Sequence, residues 1–191
     1  MIDLTTSTAL VATLVQGVTD DQLDDPTPCP DMDVRTLLVH LSGLSIAFRD
    51  AASKLDGPTT NSPPDPSAEA LPADWRTAIP QQLAELATAW QQPDAWTGMS
   101  VAGGQQMPGE VMGLVALDEV VLHGWDLASA TKQPYSPDPE ALGAVEEFVA
   151  GFPTEPEQRE GMFGPVIETD PDVPQFTRVL ALAGRDASWS A

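Results

Sequence analysis

The sequence predicts an all-α protein built on a four-helix bundle, and three observations carry that reading. Apolar residues recur at helical spacing over long segments, the stretches between them are rich in proline and glycine, and only one short stretch alternates as a strand would. A chain of 191 residues, 42% of them hydrophobic, can bury such a core without disulfides, and its single cysteine permits no intramolecular one.

Each element follows from local chemistry. Residues 3–19 carry Leu4, Ala9, Leu10, Leu14 and Val18 at helical spacing and form the first helix. The three prolines of DDPTPCPDMD (24–33) forbid helix, after which Asp31 or Asp33 can cap a second helix with its side-chain oxygen. That helix has a core-like stripe of Val34, Leu37, Leu38, Leu41, Leu44 and Phe48, and His40 stands within it. From Gly57 to Asp74 the composition shifts to Pro, Ser, Asp and Thr, which reads as a mobile loop that could serve as a lid. Asp74 then caps a third helix, whose internal Pro80 should kink it or move its start later.

The glycine-rich TGMSVAGGQQMPGE (97–110) reads as a short extended excursion. Pro108 or Gly109 opens a long fourth helix that runs to about Thr131, and a fifth spans about Pro139 to Ala150. The tail is loop-rich, with one short apolar helix from about Pro174 to Ala183. The expected organisation is a metal-binding bundle over residues 1–152 and a small C-terminal extension, 153–191, packed on it.

Charge narrows the partners. Eight basic against 29 acidic residues give a formal charge of -21, which repels nucleic acid and anionic lipid. No apolar run approaches the roughly 18 residues of a membrane span. The N-terminus lacks the basic segment of a signal peptide, so the expected location is the cytoplasm, and the expected state is a monomer or homodimer.

The chemistry concentrates in DEVVLHGWDLASAT (118–131), which holds one of only two histidines in the chain. Glu119, His123 and Asp126 fall within about 60° of one another on a helix and make a polar track in an apolar setting. A carboxylate and an imidazole one turn apart can reach one divalent ion, and a bundle would bring His40 beside them. Three protein ligands leave positions open, as catalytic metal sites do. The alternative reading of the same residues is two core histidines hydrogen-bonded to a carboxylate or to backbone. Asp126 has three readings of its own: a general base, a partner that orients His123, or a packing residue. Cys29 between prolines reads as packing, and Arg35 and Arg185 as possible carboxylate binders with many structural partners available.

Four phrases give the chain a family resemblance: TPCPDMDVRTLLVHLSG (27–43), LDEVVLHGWDLASATKQP (117–134), FGPVI (163–167) and RVLALAGRD (178–186). In these it resembles the actinobacterial branch of the DinB-like superfamily that includes mycothiol-dependent maleylpyruvate isomerase, with Met32 where such proteins typically have tryptophan. The resemblance implies a DinB-like four-helix bundle whose metal is held by His40, Glu119 and His123. Zinc heads the candidate ions, with nickel, manganese and iron behind it. It further implies mycothiol as a cofactor and a small electrophile as substrate, hence an isomerase or thiol transferase. Two other functions fit the same residues: a non-catalytic metal-binding or sensing module, and a metal-dependent hydrolase with Asp126 as its base.

Overall fold

The structure is a computed structural model that describes residues 1–62, 70–159 and 161–190. Four long helices form the bundle: α1 (Thr5–Gly17), α2 (Val34–Ala52), α4 (Trp75–Trp90) and α5 (Gly109–Thr131). Helices α1 and α2 each pack against both α4 and α5, so the chain alternates around a common core. The stripe read from the sequence is that core: Val34, Leu37, Leu38 and Leu41 are fully buried and meet Leu83, Leu86, Leu117 and Val121. Buried on nearly every side, α5 is the central helix, which explains why its sequence is apolar almost all round.

Asp33 caps α2 by accepting the Thr36 N–H at 2.7 Å. Helix α4 starts at Trp75 and contains Pro80, so its start is not moved later as propensity predicts. Trp75 and Ile79 are buried and hold the first turn on the bundle, and packing outweighs the proline penalty there. The Asp74 side chain makes no cap bond; its carbonyl accepts from Thr77 and Ala78 instead.

Part of the expected lid, residues 63–69, lies outside the described residues. Its first portion is a single helical turn, α3 (Pro58–Asn61), with Pro58 at the first helical position. Thr60 is fully buried there, and its carbonyl accepts the Gly104 N–H at 2.8 Å. Gly104 belongs to the extended excursion, which is an antiparallel hairpin of β1 (Met99–Ala102) and β2 (Gln105–Pro108). Both residues of its two-residue turn, Gly103 and Gly104, have positive φ (58° and 74°), a conformation that glycine adopts without strain.

Beyond the bundle, α6 (Pro139–Ala150) packs on α5, and α7 (Gln175–Leu182) packs on α6. Arg159 organises the intervening segment, since its buried guanidinium donates to the carbonyls of Pro153 (2.8 Å), Gly164 (3.0 Å) and Leu182. Gly184, at φ +77°, ends α7, and a Cβ on it would lie 2.6 Å from Gly164. The two C-terminal phrases FGPVI and RVLALAGRD therefore touch through glycine backbones, and the turn delivers Arg185 back toward α5. No described helix is long and apolar enough to cross a membrane.

Candidate metal centre

His40 reaches the site from the middle of α2, and Glu119 and His123 from successive turns of α5. Bundle packing brings all three together, with one potential ligand atom from each within 4.8 Å of the others. A single carboxylate oxygen, Glu119 Oε2, lies 3.3 Å from His40 Nε2 and 3.1 Å from His123 Nε2. The imidazole rings meet edge to face with centroids 4.7 Å apart.

Behind His123 stands a relay to the chain's far end. His123 Nδ1 donates to Asp126 Oδ2 at 2.9 Å. Asp126 is wholly buried and accepts two parallel bonds from Arg185, Nε to Oδ1 at 2.9 Å and Nη2 to Oδ2 at 2.8 Å. His40 has no such support: its Nδ1 is buried without a partner among the described residues.

The ionisations follow from these contacts. Burial pushes the Glu119 carboxyl up, but hydrogen bonds from His123 and His40 outweigh it and hold the group well below the usual carboxylate range. Burial pushes His123 down, yet its bonds to Asp126 and Glu119 and their negative charges raise it to about 9. Asp126 is lifted by burial and lowered by more through Arg185 and His123. Without an ion, a proton therefore sits between His123 and Glu119. The residues fit a divalent ion: two imidazole nitrogens converge on one carboxylate oxygen, the proton between them can be displaced, and the Asp126 bond at Nδ1 leaves the His123 Nε2 lone pair for a metal.

Beside the centre, a cavity of about 550 Å³ opens between α2, the hairpin, α5, α6 and the C-terminal segment. His40 and Glu119 form part of its wall, and most of the rest is apolar, including Phe48, Met112, Phe148 and Phe163. Asp118 also lines it, although sequence reasoning did not single this residue out. The Asp118 side chain is 5% exposed, its Oδ1 has no partner among the described residues, and burial followed by the Glu119 charge raises its carboxyl well above the ordinary range.

The remaining sequence candidates lie elsewhere. Cys29 is half-buried, and burial and then the Asp126 charge push its thiol up, which disfavours a reactive thiolate. Arg35 pairs with Asp24 at the surface. Arg185 is spent on Asp126 rather than on the cavity.

Comparison with known proteins gives a consistent picture. The family described as the mycothiol maleylpyruvate isomerase N-terminal domain matches residues 4–128. Uncharacterized proteins from two strains of Mycobacterium tuberculosis are 29% identical over 178 residues, covering 91% of this chain and 91% of theirs. Among solved structures, the mycothiol-dependent maleylpyruvate isomerase and a histidine-to-alanine variant of it share the fold, with TM-scores of 0.52 and 0.58 at 18% identity. That likeness covers 75% of this chain and 65% of the isomerase chain.

Proposed function

The chain belongs to the mycothiol maleylpyruvate isomerase N-terminal domain family, and on that premise we propose that it is a divalent-metal-dependent enzyme that uses a small thiol, mycothiol first among candidates, on an electrophilic substrate. The carrying observation is the convergence of His40, Glu119 and His123 at the wall of an apolar cavity large enough for a small molecule. A divalent ion held by these residues, zinc foremost, supplies a Lewis acid that favours the thiolate form of a thiol near neutral pH.

The chain's own residues do the rest. Asp126 fixes the orientation and tautomer of His123, and Arg185 holds Asp126 ionised in a fully buried position. The apolar walls exclude water from the reacting partners. In an isomerisation, the thiol adds to a carbon–carbon double bond, the resulting single bond rotates and the thiol leaves again, so nothing is oxidised or consumed. If the thiol stays on the acceptor, the product is a conjugate. Asp126 is not placed to be the base of a hydrolase, because it commits both oxygens to Arg185 and His123 and does not line the cavity.

The test is elemental analysis of the purified protein followed by titration of the cobalt-substituted form with mycothiol and other cellular thiols at about 1 μM to 1 mM. A sulfur-to-metal absorption band is expected with at least one thiol. Its absence with every thiol would remove this reading and leave the metal-binding module.

A further inference from the structure

The cavity wall specifies the electrophile more narrowly than the metal centre does. We infer that the cavity selects an uncharged, largely apolar acceptor carrying an N–H or O–H for Asp118, and disfavours a small dicarboxylate. This deepens the proposed function and rests on that reading for the reaction itself. The preference of the wall is a property of the chain alone.

Two independent observations carry it. First, no cation faces this space. All eight lysines and arginines lie within the described residues, and none lines the cavity. Five arginines pair with carboxylates, Arg159 holds backbone carbonyls, Lys54 donates to Ala95 and Ser100, and Lys132 closes the end of α5. Among the described residues, the charged or chargeable groups on the wall are His40, Asp118 and Glu119. A substrate with two carboxylates would have to shed its hydration beside the Glu119 carboxylate without an arginine to receive it. When an ion and a thiolate occupy the centre, the ion's two positive charges are balanced by Glu119 and the sulfur, so no surplus positive charge is left for a dianion.

Second, Asp118 lines the cavity with a carboxyl that is short of hydrogen-bond partners. It is 5% exposed, and its Oδ1 has no partner among the described residues. Buried polar groups are rarely left in that state, and those that are repay scrutiny as ligand contacts. Around it the wall is apolar: Leu44, Phe48, Met107, Met112, Phe148 and Phe163. A ligand matching both features has an apolar body and one hydrogen-bond donor, as an unsaturated amide does.

The experiment uses matched probes on the metal-free full chain, so that no ion can itself capture a carboxylate. Cinnamamide, methyl cinnamate, cinnamate and maleate are titrated by calorimetry into wild type, D118N and D118L. Cinnamamide should bind wild type at least about 10-fold tighter than cinnamate, with maleate weaker still, and about 5- to 10-fold tighter than methyl cinnamate, which lacks the donor. D118L should abolish the preference for cinnamamide over methyl cinnamate. D118N, which keeps an accepting oxygen, should retain it. Circular dichroism checks the folding of both variants. Cinnamate or maleate binding as tightly as cinnamamide would overturn the inference. So would an unchanged preference in D118L, or no binding of any probe at millimolar concentration. The thiol reading fails separately, through the cobalt spectrum, and its failure leaves these binding ratios as they are.

Discussion

Metal binding at His40, Glu119 and His123 should release about one proton at neutral pH. In the metal-free protein, His123 titrates at about 9 because Asp126 and Glu119 both accept from it. A group with that value is about 97% protonated at pH 7.5 and half protonated at pH 9. An ion needs the Nε2 lone pair, so binding must expel the proton. Zinc titrations by calorimetry, repeated in buffers of different ionisation enthalpy, give the number of protons released from the dependence of apparent heat on buffer. The expected result is about one at pH 7.5 and about half at pH 9, with apparent affinity rising about 10-fold per pH unit between about 7.5 and 8.5. D126N removes the negative charge that helps hold the proton and leaves at most a neutral hydrogen bond to Nδ1, so proton release at pH 7.5 should fall below that of wild type. Zinc binding with no proton release in wild type, or with equal release in D126N, would refute this account of the centre.

Three further outcomes follow from the same geometry. H123A and H40A should each lose bound metal, by mass spectrometry of the purified protein, while keeping their helical circular dichroism, because the core residues around them are unchanged. Stability of the metal-free protein should fall as pH rises from about 6.5 through about 9: the folded state binds the His123 proton more tightly than the unfolded chain, so its contribution is complete below the unfolded value and lost above the folded one. Denaturant melts across that window should show the fall in wild type and not in H123A. R159M should cost about 3 kcal/mol in urea unfolding, since three carbonyls lose the buried donor that joins Pro153, Gly164 and Leu182.

Much of this was legible from local pattern. The stripes of α1, α2 and α5 announced the bundle, and the spacing of Glu119 and His123 announced a shared point in space because residues one turn apart share a face. Asp126 fell on the same face, and its choice among base, orienting partner and packing residue needed its surroundings: both oxygens are already taken. Arg185 was named from its charge but not as the Asp126 partner, because 59 residues and several turns separate them. The available signal was the glycine before it, which closes α7 in a left-handed turn and re-aims the chain. Asp118 escaped notice for a different reason. One residue before Glu119, it lies about 100° round the helix, and that face matters only once the hairpin and the C-terminal segment wall in a cavity there.

The C-terminal segment is thus chemically continuous with the bundle, even though the sequence divides it off after residue 152. Phe163 stands in the cavity wall, and Arg185 supplies the guanidinium paired with the carboxylate that orients His123. Asp126, wholly buried, would be driven toward its neutral form by burial if that guanidinium were withdrawn, and a protonated carboxyl no longer offers His123 a full negative charge. Arg185 is in turn placed by the Gly184 turn, and Gly184 by its contact with Gly164, whose carbonyl Arg159 holds. A chain of packed backbone and charge therefore runs from the extension to the candidate ligand His123 on α5. Loosening any link should disturb the candidate metal centre through His123 while leaving His40 on α2 in place.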